Sequence, residues 1–382
     1  MSRSLKVAVH VDGPTVRGNE RQVLLLAEEL ERRGHRVVAS CRAGGPVREA
    51  FGRLGIRTTG LRPRGDLDAW SALRFAGWLR RERPDAALLT SWVRALGAGW
   101  AARAAGVPRV VLRIGEVHAI PPGAAGWKAR RALVRYTDAV VANSRAVRDH
   151  LFASVPGLAP GAVYYVPNGV RLAPAPPAPL REELGIPAGA VVAAGVGGLE
   201  RRKGFDLLVG ALARAGDPGL HAVVAGEGPD RAALRALAES LGVADRVHLL
   251  GQRSDVAAVL AAADLFVLSS RSEGMSVAML EAATARRPVV STDVGGAWDV
   301  LAPRDGRPAA GWIVPRDDER ALAGALREVA GLLRSDRAAV EARVDEAAWR
   351  LDNWLTVERM MDGVEAALLG LPWDGAGTGP CR

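Results

Sequence analysis

Short apolar runs alternate with stretches of helical period along almost the whole chain. In the first half, runs at residues 5–11, 36–40, 86–90, 109–114, 139–142 and 163–166 read as strands. They are apolar through their middles, as strands covered on both faces must be. Between them the spacing predicts helices over 20–33, 69–83, 95–105, 127–135 and 144–152. Leu172-Ala173-Pro174-Ala175-Pro176-Pro177-Ala178-Pro179 breaks the rhythm, because neither a helix interior nor a central strand tolerates such proline density. A second set of runs follows at 190–196, 220–225, 247–249, 264–269, 288–292 and 311–314, and the helical pattern ends over 355–369. Such βαβα alternation predicts parallel sheets with helices on both faces. The expected class is α/β, with domains at 1–171 and 172–350 and a terminal helical region at 351–382.

Composition changes this picture little. A chain of 382 residues exceeds the size at which one core keeps growing, and 49% hydrophobic content is enough for two. The cysteines, Cys41 and Cys381, form no disulfide framework and no metal-ligand cluster, which fits a reducing cytosol. The start does not read as a signal peptide, and no apolar stretch reaches the roughly 18 residues of a membrane span. The expected location is cytoplasmic, with peripheral attachment at the inner face of the plasma membrane as the refinement that charge suggests.

Charge is unevenly placed. Residues 1–171 hold 28 Lys/Arg against 13 Asp/Glu, while 172–382 hold 23 against 29, for a net charge of +9. The basic residues lack interleaved aromatics or a nucleic-acid module, so no nucleic acid is expected as partner. An anionic membrane surface or an acidic acceptor suits the basic half better, with ordinary solvated faces of an arginine-rich chain as the equal alternative. The stretches Arg80-Arg81-Glu82-Arg83 and Lys128-Ala129-Arg130-Arg131 would flank Phe75, Trp78, Trp127 and Leu133 on amphipathic helices, a pattern suited to peripheral attachment.

Two clusters suggest chemistry. Glu273-Gly274-Met275-Ser276-Val277-Ala278-Met279-Leu280-Glu281 follows a buried-strand pattern, which puts Glu273 in a strand-to-helix loop and Glu281 about two turns into a helix beginning at 275. Ligands of α/β sheets bind at the carboxyl ends of strands. There a carboxylate can accept sugar or ribose hydroxyls, and the N–H groups of Gly274, Met275, Ser276 and Val277 can hold phosphate oxygens. Two ordinary surface carboxylates would look the same in isolation. The second cluster, Gly197-Gly198-Leu199-Glu200-Arg201-Arg202-Lys203-Gly204, ends another strand in glycines and cations. Lys203 is one of three lysines among 51 basic residues, and beside glycines it offers a mobile charge for a diphosphate. A glycine-turned loop with a solvated basic face is the bland alternative.

Other motifs fail. Asp66-Leu67-Asp68 has the Asp-x-Asp metal pattern but precedes a helix without a strand leading in, so Asp68 reads as an N-cap. Gly195-Val196-Gly197-Gly198-Leu199-Glu200 lacks the third glycine of a dinucleotide fingerprint. Lys203-Gly204 reverses the P-loop order.

Taken in order, these segments resemble the retaining family-4 glycosyltransferases. The resemblance adds Arg17-Gly18-Asn19-Glu20 near the N-terminus, Ala142-Asn143-Ser144, Pro167-Asn168-Gly169-Val170, Gly226-Glu227-Gly228-Pro229 and Gly295-Gly296. It implies the GT-B architecture, two Rossmann-like doubly wound domains facing a central cleft, with the last helix packed on the N-terminal domain. It also implies a UDP- or GDP-linked sugar as co-substrate, no other cofactor and no metal, and a glycan, lipid-linked or small-molecule acceptor, as in envelope polysaccharide synthesis. Glu273 would bind the donor sugar, Glu281 the ribose, and Lys203 with Arg201, Arg202 and Gly197 the diphosphate. Arg17 and Gly18 would line the acceptor side. The chain departs from the family pattern in three places: Gly198 replaces an arginine, Arg17 a glycine, and Ile114-Gly115 stand where the family often has a histidine. His118, Arg113 or Glu116, in the same loop, could take over that histidine's contacts. A nucleotide-sugar epimerase of the same fold, or a non-catalytic nucleotide-binding scaffold, is the alternative.

Overall fold

The computed structural model describes residues 3–61, 68–90, 95–116, 123–173 and 179–373. The chain forms two compact units, Met1–Asn168 with Val357–Arg382, and Gly169–Thr356.

Unit 1 is built on seven strands: β1 (Lys6–His10), β2 (Arg36–Arg42), β3 (Arg57–Leu61), β4 (Ala86–Leu89), β5 (Arg109–Ile114), β6 (Ala139–Ala142) and β7 (Val163–Tyr165). Their order is β3-β2-β1-β4-β5-β6-β7, every pairing is parallel, and β1 sits between Arg36 of β2 and Ala86 of β4. Alternation along the strands sends Val7 and Val9 to one face and Ala8 and Leu89 to the other. Helices Gly18–Arg32, Pro46–Arg53 and Val357–Leu369 close the first face. Helices Ala69–Glu82, Ala95–Ala104, Gly123–Tyr136 and Arg145–Ser154 close the second.

Unit 2 repeats the plan with β8 (Val191–Val196), β9 (Leu220–Ala225), β10 (Val247–Gly251), β11 (Leu265–Leu268), β12 (Val289–Thr292) and β13 (Trp312–Val314). The order is β10-β9-β8-β11-β12-β13, again all parallel. In each unit the strand order turns back on itself once, between β1 and β4 and between β8 and β11. A doubly wound sheet opens its ligand crevice at that point, because the flanking loops leave on opposite faces.

The structure departs from the sequence reading in several places. The boundary into unit 2 falls at Gly169, ahead of the prolines, because Val170 and Leu172 already pack on the unit 2 core. The return to unit 1 begins at Val357 rather than 351, because Leu351 and Leu355 are buried in unit 2. Pro174, Pro176 and Pro177 lie outside the described residues. Phe75, Trp78 and Leu133 are not exterior flanks of the basic stretches. They are buried in the second-face core, while the Trp127 side chain lies outside the described residues.

Candidate functional site

The loops after β8 and β11 flank the crevice of unit 2, and their backbone is held together from both sides. After β8, a short turn at Arg201–Lys203 ends in Gly204 with φ +63°, and helix Phe205–Ala215 begins there. A Cβ at Gly204 would collide with the Ser269 carbonyl, so both the left-handed backbone and the close approach require glycine. Ser269 Oγ donates to Lys203 O at 3.1 Å, and Arg271 N to Arg202 O at 2.8 Å.

Arg271 locks this junction. Its guanidinium donates twice to Asp206 at 2.7 Å, to Asp317 at 2.6 Å and to the Arg201 carbonyl at 2.7 Å. Those bonds, with Asp206 foremost and against the cost of burial, push the Arg271 pKa up. Burial acts against the Asp206 charge too, yet Arg271 outweighs it and holds that carboxyl below its ordinary range. Sequence reasoning missed Arg271, which looked like any arginine in an arginine-rich chain.

Within this frame Lys203 and Glu273 meet: Lys203 Nζ donates to Glu273 Oε1. Ser270 Oγ donates to the same oxygen at 3.0 Å, and Arg202 Nη1 lies 3.9 Å from the other. Glu273 is only 7% exposed. Arg202 also approaches Glu200 at 3.5 Å, and Arg201 faces solvent. Gly197 lies against the Lys203 stem, where a Cβ would stand 3.5 Å from Cε.

The segment after Glu273 is held from a third loop. Gly296 N donates to Gly274 O, and Gly295, at φ +31°, lies so close to the Glu273 and Gly274 carbonyls that no Cβ would fit. The helix starts at Val277 rather than 275, because Ser276 caps it, its Oγ accepting from Met279 N at 3.3 Å. Its first turn, with Val277 and Ala278, presents the positive end of the helix. Met275 is buried, and Glu281, further along, is 2% exposed.

In unit 1 the predicted residues separate. Arg17 is exposed and caps helix Gly18–Arg32, its N donating to Glu20 Oε2 at 3.2 Å. Arg113 is not a loop residue. It belongs to β5 and is buried, because the strand extends to Ile114, and it donates to Asn19 Oδ1 at 3.0 Å and Asn168 Oδ1 at 2.7 Å. Burial pulls its pKa down to about 10, with the Glu20 charge acting the other way. Its observed role is to tie the first helix and the end of the unit 1 chain to β5. Gly115 packs beside Asn143, Glu116 is exposed, and His118 lies outside the described residues. Asp68 is an N-cap, its Oδ1 accepting from Ser71 N at 3.2 Å.

Comparison with known proteins follows the same division. Residues 16–174 match the family model described as Glycosyltransferase Family 4, and residues 178–341 the one described as Glycosyl transferases group 1. Lipopolysaccharide core biosynthesis glycosyltransferase LpsE of Rhizobium meliloti is 37% identical over 150 residues, 39% of this chain and 42% of that protein. Thus the match spans less than half of that relative's length. Alpha-maltose-1-phosphate synthase of Mycolicibacterium smegmatis is 30% identical over 275 residues, 64% of this chain and 68% of that one. Among solved structures, HepE of Anabaena in complex with UDP and glucose superposes with a TM-score of 0.83 at 19% identity, covering 96% of this chain and all of the other.

Proposed function

The chain belongs to glycosyltransferase family 4, and from that membership we propose that it moves a sugar from a nucleotide-diphosphate donor to a glycan or lipid-linked acceptor, retaining the anomeric configuration. The observation behind this reading is the Lys203–Glu273 pair at the switch point of the unit 2 sheet.

A nucleoside diphosphate leaves readily once its growing charge is neutralised, so electrostatic stabilisation supplies most of the rate. Lys203, with Arg202 or Arg201, and the first-turn N–H groups of helix Val277–Thr284 provide it. Glu273 accepts donor-sugar hydroxyls, and Glu281 takes the ribose. The acceptor oxygen attacks C1 from the leaving-group face. The C1–O bond to phosphate breaks, the new C1–O bond forms, and the departing phosphate takes the acceptor proton. This route needs no protein base, so the lack of a histidine at Ile114-Gly115 does not remove the activity. Positive charge comes from side chains, and we expect no metal requirement. HepE's complex with UDP supports uridine as the donor's nucleoside, and the name of LpsE supports an envelope glycan as acceptor.

The test is incubation with UDP- and GDP-linked sugars. Slow donor hydrolysis that survives EDTA is expected, and Lys203→Ala or Glu281→Ala should lower it at least tenfold, about 1.4 kcal/mol. Interconversion of the donor sugar would replace the reading with an epimerase, and binding without turnover with a scaffold. Complete loss in EDTA, restored by Mg²⁺, would overturn the metal-free step.

A further inference from the structure

The two helical layers of unit 1 carry opposite charge. Helices Gly18–Arg32, Pro46–Arg53 and Val357–Leu369, on the first face, contain five basic and eight acidic residues. Helices Ala69–Glu82, Ala95–Ala104, Gly123–Tyr136 and Arg145–Ser154, on the second, contain ten basic and two acidic. Both acids of the second layer are already engaged, Glu82 by Lys6 and Arg57, and Asp149 by Arg148. Arg74, Arg81 and Arg135 are exposed and make no ion pair among the described residues.

Apolar exposure has the same bias. Of the nine exposed large hydrophobic side chains among the described residues, Trp70, Leu73, Trp100, Val134 and Phe152 belong to this basic layer. The acidic layer's helices contain none; Leu54 and Leu371 lie just beyond their ends. Trp70 is 77% and Leu73 52% exposed. Both lie in the first turns of helix Ala69–Glu82, in line with Arg74 and, three turns from Trp70, Arg81. The buried face of that helix is already filled by Phe75, Trp78 and Leu79, so the outward aromatic is surplus to the core. A helix that follows a parallel strand starts at the strand's carboxyl end, so Trp70 stands at the ligand edge of the sheet.

We infer that the helical layer Ala69–Glu82, Ala95–Ala104, Gly123–Tyr136 and Arg145–Ser154 docks on an anionic bilayer leaflet. Trp70 and Leu73 enter the headgroup–acyl boundary, and Arg74, Arg81 and Arg135 meet lipid phosphates. Dispersed basic residues alone would suit any polyanion. Outward Trp and Leu among them favour a lipid interface, where aromatic and basic side chains are both accommodated. No helix among the described residues is long and apolar enough to cross a membrane, so attachment through this layer is peripheral. Docking is independent of the transfer chemistry. Its consequence, an acceptor anchored in the lipid beside the ligand edge, rests on the transferase reading.

The test is co-sedimentation of the full chain with vesicles of phosphatidylcholine, with or without phosphatidylglycerol. The wild type should bind the anionic vesicles alone and be released by raised salt. Trp70→Ala with Leu73→Ala should weaken binding roughly tenfold without altering the salt dependence. Arg74→Glu with Arg81→Glu should abolish it. Arg48→Glu with Arg53→Glu, the same charge change on the acidic layer, should leave it intact. Equal binding to neutral vesicles, or equal loss in the acidic-layer control, overturns the assignment. So does duplex DNA that binds through the arginines but is indifferent to Trp70 and Leu73. UDP and GDP titration and thermal melting of every variant keep the two readings apart. Absent binding of both UDP and GDP in the wild type would sink the transferase reading and leave docking standing, and lost vesicle binding with normal nucleotide binding would do the reverse.

Discussion

Two cation–carboxylate pairs of unit 2, Arg350–Glu346 and Lys203–Glu273, have opposite surroundings. Arg350, 0% exposed, donates through Nε to Glu346 at 2.8 Å, through Nη1 to Val300 O and Ala302 O at 2.8 and 2.7 Å, and through Nη2 to Pro308 O at 2.6 Å. Glu346 in turn takes a fork from Arg307 at 2.9 and 2.7 Å. Every nitrogen of Arg350 is satisfied, and the whole sits where helix Arg337–Asn353 meets the chain after helix Ala297–Leu301. Lys203 has three N–H groups and, among the described residues, one acceptor in Glu273. It stands on a loop at the carboxyl edge of the sheet. A satisfied pair inside the scaffold serves architecture. A pair with spare donors, held at an edge by glycine contacts and a separate arginine lock, keeps hydrogen-bonding capacity for a ligand.

Removing the architectural cation should give the largest effect. Arg350→Ala leaves the Glu346 carboxylate short of a partner and three carbonyls unpaired in a dry site. Breaking one side of such a pair costs about 3–5 kcal/mol. At roughly 2–4 °C per kcal/mol for a unit of this size, the melting temperature should fall by about 6–20 °C. Thermal unfolding followed by circular dichroism measures it. A drop of a degree or two would erase the distinction between the pairs.

The site pair should show the opposite balance. Lys203→Met combined with Glu273→Gln removes both charges together, so no lone ion is left buried. Groups held for a ligand are seldom optimal for stability. The double variant should melt at or above the wild-type temperature while donor turnover falls at least about tenfold. Melting far below wild type would make Lys203–Glu273 a second structural pair and move the functional reading elsewhere.

How much of this contrast could be read in advance depends on locality. β5 and β6 were legible in their bounds, because β6 is an unbroken apolar run and β5 has Val110-Val111-Leu112 at its centre, though Arg113 interrupts it. β3 and helix Pro46–Arg53 were not. Arg57-Thr58-Thr59-Gly60-Leu61 is an edge strand with one buried residue, and the helix is two turns long. Lys203 and Glu273 were both identified from ordered local motifs. Their direct bond, the Arg271 lock and the burial of Arg113 in β5 were invisible, since each depends on strands brought together by the sheet. Helix Ala69–Glu82 was assigned correctly but turned the wrong way. Aromatic side chains lie on both its faces, so only the packing of Phe75 and Trp78 under Trp70 could orient it.

The smallest effect separates charge from shape in the architectural pair. Burial acts against the Glu346 charge, but hydrogen bonds from Arg307 and Arg350 outweigh it and hold the carboxyl below its ordinary value of 4.5. A carboxyl whose folded pKa is depressed contributes stability that is fully present above the unfolded value. That stability is lost as pH falls through the folded one. Glu346→Gln keeps the shape, cannot ionise, and should melt below the wild type at pH 6. As pH drops from 6 towards 3 the wild type loses this contribution and the variant has none to lose, so the gap should narrow. The other acid-side groups, including Asp206 with Arg271, are common to both proteins and cancel in the difference. Melting curves recorded across that range decide the matter. A gap of constant width would mean that Glu346 acts through its geometry alone, and the contrast with the edge pair would then rest on hydrogen-bond satisfaction rather than on charge.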